Sequence, residues 1–255
     1  MKPESPRVGL FVTCLVDVFR PQVGFAALAL LERAGCRVDV PATQTCCGQP
    51  GYNSGEPRLA AELARSVIEI FEPYDYVVAP SGSCAGMIRV HYPALLQGSA
   101  WGERALTLAA KTYELTSFLF DVCRLDRLDA TFAGSVTYHD SCASLREMKV
   151  SAQPRALLAR IDGLSLREAA DREICCGFGG TFCVKYPEIS ARMTADKVAA
   201  LVATGADVIL AGDMGCLLNI AGKASREGRA VQVRHVAEVL AGLADAPAIG
   251  EGETA

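Results

Sequence analysis

No apolar run in this 255-residue chain reaches the roughly 18 residues that a membrane-crossing helix needs. The longest candidate, Val23 to Leu31, ends in Glu32-Arg33. There is no basic excess either: a net charge of -4 and a pI near 5.5 provide no positive stripe for a nucleic acid. The first residues, Met1-Lys2-Pro3-Glu4-Ser5-Pro6-Arg7, lack an apolar signal core, so the chain is expected to stay in the cytoplasm. No Gly-x-Ser-x-Gly or His-Glu-x-x-His occurs, which removes the common hydrolase readings. The run Gly177-Phe178-Gly179-Gly180 lacks the form and context of a nucleotide fingerprint, and no flavin or nicotinamide motif is present. Two Cys-x-x-Cys knuckles, the usual frame of structural zinc, are also missing.

Cysteine is plentiful. The total of eleven is odd, which fits poorly with complete disulfide pairing, and half the residues are hydrophobic, enough to fold without staples. In a reducing compartment such clustered cysteines bind metal or do redox work. Eight of them form two matched sets. Cys46-Cys47-Gly48 and Cys175-Cys176-Gly177 lie 129 residues apart. Upstream of each is one cysteine, Cys14 or Cys142, with 31 or 32 residues between. Downstream is another, Cys84 or Cys216, after 36 or 39 residues.

The surrounding pattern repeats as well. Arg7 to Cys14 reads as a buried strand, Val23 to Ala34 as a helix and Arg37 to Val40 as a second strand. After the first Cys-Cys-Gly, Pro57 opens a helix with Leu59, Leu63, Val67 and Ile70 on one face. Asp75 to Ala79 is a further strand, running out into Cys84, and a helix over Thr116 to Cys123 closes the unit. The second half answers with Ser135 to Cys142, Pro154 to Ile161, Leu164 to Leu166, Glu188 to Ala203 and Asp207 to Ala211. Tyr113 to Leu119 and Arg234 to Leu240 both lead into closing helices. The expected fold is α/β: two tandem, pseudo-symmetric βαβ-type units with parallel sheets covered by helices. The units are residues 1–128 and 129–245, followed by a frayed tail over 246–255.

In open parallel sheets the loops past the strand carboxyl ends share one edge and line the ligand crevice. Topology therefore brings Cys14, Cys46, Cys47 and Cys84 together, and likewise Cys142, Cys175, Cys176 and Cys216. Four thiolates from scattered loops hold either a [4Fe–4S] cluster or one zinc ion. Adjacent cysteines favour the larger object with several irons. Gly48 and the set Gly177, Gly179 and Gly180 let backbone amides approach its sulfurs.

At these residues the chain resembles the proteins with paired cysteine-rich (Cys-Cys-Gly) domains. These include the B subunit of heterodisulfide reductase, the glycolate oxidase iron–sulfur subunit and the third subunit of anaerobic glycerol-3-phosphate dehydrogenase. The likeness rests on three stretches and covers nearly the whole chain: Cys46 to Gly55, His139-Asp140-Ser141-Cys142 with Leu145-Arg146-Glu147, and Cys175 to Phe182 with Val184 to Glu188. It implies a subunit of an iron–sulfur complex that oxidises L-lactate to pyruvate, beside a ferredoxin-like subunit and a third one. It implies one or two [4Fe–4S] clusters, the N-terminal site being a cluster, a zinc site or empty. The family's fullest pattern ends each repeat in Cys-x-x-Cys, where this chain has Met87 and Asn219, and Ala143 stands where relatives often carry His. The disulfide-cleaving chemistry of five-thiolate sites thus lacks its fifth ligand, and a zinc-stabilised scaffold is the third alternative.

The remaining candidates are weaker. Cys183 is read as an unligated loop cysteine, and Cys36 and Cys123 as core residues. His139 is read as a strand-end residue donating a hydrogen bond. His91 and His235 have no partner spacing. Arg146, Lys185 and Arg192 are candidates for binding a carboxylate. No catalytic residue is assigned.

Overall fold

The computed structural model describes residues 5–251, with 1–4 and 252–255 outside it. The first unit contains strands β1 (Arg7–Leu10), β2 (Arg37–Asp39), β3 (Tyr76–Ala79) and β4 (Thr112–Glu114). The second contains β5 (Thr131–His139), β6 (Asp162–Leu166), β7 (Val208–Ala211) and β8 (Gln232–His235). Each set forms a four-stranded sheet, in the orders β2-β1-β3-β4 and β6-β5-β7-β8, and every pairing is parallel. The fold is α/β with two similar units, as the strand–helix alternation predicts. The central strands are buried toward their carboxyl ends: β7 entirely, β1 and β3 except for their first residues, and β5 over its last five.

β4 and β8 are absent from the sequence reading, which merged them into the closing helices. They are three and four residues long and carry Thr, Glu, Gln, Arg and His rather than an apolar run. The face of helix Pro57–Phe71 is also corrected. Ala60, Ala61, Ala64, Val67, Ile68 and Phe71 are buried, whereas Leu59 is 50% exposed. Leu59 instead reaches over Gly51 in the loop of the first Cys-Cys-Gly, leaving small alanines against the sheet. At the carboxyl end, residues 246–251 are not frayed. Ala248 and Ile249 are buried, the Ile249 amide donates to the Val233 carbonyl at 2.9 Å, and Arg234 donates to the Ala246 carbonyl at 2.6 Å.

The two units pack reciprocally. Helix Pro21–Arg33, after β1, lies on helix Val236–Ala241, after β8; helix Ala152–Leu158, after β5, lies on Leu115–Ser117, after β4. One hydrophobic core runs through both, from Val8, Leu10 and Leu30 to Val136, Ile209 and Leu240.

His235 is sealed in this region. Its Nδ1 accepts from the Ala237 amide at 3.1 Å, so Nε2 carries the hydrogen and donates to the Pro80 carbonyl across the units at 3.1 Å. Burial, helped by the Arg20 charge and opposed by backbone hydrogen bonding to Pro80 and Gly212, pushes its pKa from 6.5 down to about 4. The unfolded chain then takes up a proton before the folded one. The stability His235 contributes is complete above pH 6.5 and is lost as pH falls toward 4, at about 1.4 kcal/mol per unit. In His235→Gln the amide keeps a donor for Pro80 and loses the titration. The stability difference between wild type and variant, followed by denaturant unfolding of metal-free protein, is expected to move with that slope over this range. A pH-independent difference would refute the assignment.

Candidate metal centre

Cys14 and Cys84 follow β1 and β3, and Cys142 and Cys216 follow β5 and β7. These are the two central strands of each sheet, between which the strand order reverses, so all four cysteines lie at a switch-point crevice. Each occupies the first turn of a helix: Cys14–Phe19, Gly82–Gly86, Cys142–Arg146 and Met214–Arg226. Thr13, Ser81 and Ser141 cap three of these starts through their side-chain oxygens. The strands expected over Arg7 to Cys14 and Ser135 to Cys142 extend to the cysteine and so miss the helix starts at Cys14 and Cys142.

The Cys-Cys-Gly loops enter from β2 and β6. Gly48 and Gly177 have φ of +84° and +82°, and each amide points back at the first cysteine of its pair, 3.4 Å from Sγ of Cys46 or Cys175. A side chain at Gly177 would lie 2.7 Å from the Ser190 carbonyl oxygen, so both the turn and the space require glycine. Several side chains pin these loops: Tyr92 donates to the Cys47 carbonyl at 2.8 Å, Thr194 and Asn219 to the Cys176 carbonyl at 2.9 and 3.0 Å, and Ser190 to the Gly177 carbonyl at 2.8 Å. Asn219, at the place of a fifth cysteine in the fullest pattern, therefore fixes the loop. Met87, the matching residue, is fully buried in the core.

In the first set Cys47 Sγ lies 3.4 Å from Cys84 Sγ, and Cys14 and Cys47 are close enough to Cys46 to shift its pKa. In the second set Cys142 and Cys176 stand in the same relation to Cys175, with Cys216 next to Cys176. Within each set one thiol is held as thiolate. Hydrogen bonds from Cys14 and Cys47, joined by the Gly48 amide and opposed by burial, push Cys46 down to about 3. The corresponding bonds from Cys142 and Cys176 push Cys175 down to about 2. Their donors Cys14, Cys47, Cys142 and Cys176 are pushed up, by giving that hydrogen bond first and by burial next. Neighbouring thiols, one with its pKa pushed far down and a backbone amide aimed at it, form a donor set suited to a thiophilic metal or cluster. Cys14, Cys46, Cys47 and Cys84 would hold one such group; Cys142, Cys175, Cys176 and Cys216 would hold another.

The sites adjoin. A cavity of about 170 Å³ touches the first set and one of about 310 Å³ the second. Gln49, Ser83, Phe178, Gly180 and Asp213 line both. Buried Asp213 accepts from the Ser83 amide at 2.9 Å and from its hydroxyl at 3.1 Å, joining the two cysteine helices. Gly82 packs so closely on Ser144 that a Cβ would collide with it, and Gly215 does the same against the Phe178 ring. A cavity of about 530 Å³ lies at the opposite end of the second sheet beside Asp207 and Gln232 and contains no cysteine.

The sites also differ. Cys14 is exposed, whereas Cys216 is buried. Thr13, a β-branched residue, has φ +77°, while its counterpart Ser141 is relaxed at −69°. Phe11 at the end of the first-unit strand corresponds to His139 at the end of β5. The reading of His139 as a hydrogen-bonded strand end is not met: both ring nitrogens are buried without a partner, and one lies within 4.8 Å of Cys176 and Cys216 Sγ.

Gly179 and Gly180 line the second cavity, but no amide of theirs is directed at a cysteine sulfur. Cys183 donates to the Gly180 carbonyl at 3.5 Å and lines neither cavity. Cys36 is a core residue, as read, and Cys123 is half-buried against the same core, with the two sulfurs 3.9 Å apart. Of the basic candidates only Arg146 reaches the second cavity; Lys185 is exposed, and exposed Arg192 pairs with Asp196. No helix among the described residues is long and apolar enough to cross a membrane.

Duplicated parallel sheets, each carrying four convergent thiols at its switch point, define a tandem cysteine-rich metal-binding protein. The cysteine-rich domain family known as CCG matches residues 8–89 and 136–221, and the chain belongs to that family. It is 47% identical to lactate utilization protein A of Halalkalibacterium halodurans over 92% of this chain and 96% of that one. The same identity holds with lactate utilization protein A of Bacillus licheniformis, over 92% and 98%. The fold is shared with a hypothetical protein from Helicobacter pylori whose crystal structure is solved: TM-score 0.68, 9% identity, 95% of this chain and 50% of that one.

Proposed function

We propose that this chain is an iron–sulfur electron-transfer subunit of a complex that oxidises L-lactate to pyruvate. The observation that carries the reading is the adjacency of two four-thiol sites across Phe178, Ser83 and Asp213. A structural zinc scaffold has no need for two such sites side by side, whereas an electron relay does. The name lactate utilization protein A, borne by relatives of nearly equal length, supports the substrate. Bound [4Fe–4S] clusters would supply one-electron acceptance and release. The residues around them hold the Cys-Cys-Gly turns and aim the Gly48 and Gly177 amides at sulfur.

Lactate loses two electrons and two protons in becoming pyruvate. This chain has no hydride-accepting fingerprint, so the oxidation itself belongs to a partner. We place a ferredoxin-like subunit and a third subunit in that role. Val18, which lines a cavity with Cys14 and Cys46, Phe19 at the end of the Cys14 helix, and Val184 beside the first site, each at least 60% exposed, offer apolar contact area for docking.

Anaerobic iron and sulfide analysis of the purified chain, with EPR before and after dithionite, tests the reading. Roughly four irons and four sulfides per filled site, with a signal that changes on reduction, are expected. Zinc alone, with no redox-active signal, would overturn it.

A further inference from the structure

The second site contains a donor that the first one lacks. His139 ends β5, is fully buried, and has no hydrogen-bond partner at Nδ1 or Nε2. A buried polar atom without a partner is uncommon and points to a missing ion or group. Here one ring nitrogen lies within 4.8 Å of the Cys176 and Cys216 sulfurs, so the ring lies against two of the sulfurs that would hold the second group. The equivalent position in the first unit is Phe11, also fully buried, packed on the Phe71 ring at 5.5 Å. An imidazole in place of a phenyl ring is thus a difference between two otherwise matched sites.

Four cysteines already provide one ligand for each iron of a cubane, so iron has no need of a fifth donor. Sulfur has: cluster sulfides and thiolates gain negative charge on reduction, and an N–H aimed at them stabilises the reduced form. Neutral or charged, imidazole carries at least one such N–H.

We propose that His139 donates a hydrogen bond to sulfur of the group held by Cys142, Cys175, Cys176 and Cys216, raising its reduction potential. His139 is then a positioning and tuning residue rather than a ligand, and Phe11 leaves the first site without this adjustment. The inference rests on the iron–sulfur reading above.

The test is an EPR-monitored redox titration of the holoprotein as wild type, His139→Phe and His139→Gln, with iron and sulfide measured on the same samples. The Phe variant is expected to keep its iron and to titrate lower, by about 59 mV for a tenfold loss in the reduced-to-oxidised ratio of a one-electron couple. The Gln variant, which keeps an N–H, should stay close to wild type. A Phe variant with full iron and the wild-type potential would overturn the proposal. So would loss of the second site's iron, because the imidazole would then be a ligand. Pulsed EPR of the wild type with isotopically labelled histidine gives an independent reading should the Phe variant misfold: weak nitrogen coupling supports the hydrogen bond, and its absence refutes it. A wild-type chain without iron or sulfide would fail the iron–sulfur reading itself, an outcome distinct from failure of the His139 assignment alone.

Discussion

Replacing Cys176 with serine is expected to remove the second site's metal, lowering iron and sulfide by about four each per chain and abolishing one reducible EPR signal. Cys176 has the largest expected effect because it is the middle of its chain of sulfurs, giving a hydrogen bond to Cys175 and bonded in turn to Cys216. It is also 1% exposed, so water cannot replace the missing ligand from bulk solvent. A serine hydroxyl stays protonated where a thiol ionises, and only the ionised form is a good metal ligand. The fold should survive. The Cys176 carbonyl, not its sulfur, receives the bonds from Thr194 and Asn219 that fix the loop. Far-UV circular dichroism should therefore match wild type while iron falls. Cys47→Ser is the matching variant for the first site, since buried Cys47 plays the same part between Cys46 and Cys84. Two variants that each remove a separate share of iron would show that the sites fill independently. Unchanged iron in Cys176→Ser would remove the second set from the metal assignment.

The cysteine sets were legible in the sequence because their spacing is duplicated and parallel-sheet topology brings the loops after central strands to one edge. The roles around them were less legible, for reasons that differ by residue. Three- and four-residue strands such as β4 and β8 carry too few apolar positions to register as strands, although they complete each sheet. Leu59 sits on the helical stripe of Leu63 and Val67 but packs over a loop, and the sequence has no sign of that loop's path. Cys36 and Cys123 are 87 residues apart with no motif between them, so their contact at 3.9 Å depends wholly on the tertiary fold. His139 could have been noticed by aligning the two repeats, since Phe11 is three residues before Cys14 as His139 is before Cys142. Its lack of a partner is visible only in three dimensions. Reciprocal packing of the units is likewise invisible in a tandem pattern, which shows repetition but not which faces meet.

That packing includes a buried ion pair whose removal carries the second large expected effect. Arg20, between the Cys14 helix and Pro21–Arg33, donates from Nε to Glu238 Oε1 at 3.0 Å, and its Nη2 sits 2.8 Å from the same oxygen but off the hydrogen-bonding direction. The Glu238 side chain is wholly buried and that of Arg20 is 11% exposed, so neither charge is well hydrated once the units meet. Glu238 also accepts from the His235 amide at 3.0 Å, completing the cap of helix Val236–Ala241. Glu238→Ala leaves the guanidinium buried without its counter-charge and uncaps the helix. A loss of about 3–5 kcal/mol is expected from breaking the pair, with about 1 kcal/mol more from the cap. Arg20→Ala leaves the carboxylate buried instead and should cost a similar amount, while the cap stays intact. Because the damage lies in the unpaired charge, the double variant Arg20→Ala with Glu238→Ala should cost less than the two single variants added together, since it removes both charges. Denaturant unfolding of the four proteins, without metal and at one pH, measures this coupling. Strictly additive losses would mean that the contact between Pro21–Arg33 and Val236–Ala241 is held by its apolar residues alone, with the ion pair contributing nothing to the joining of the two units.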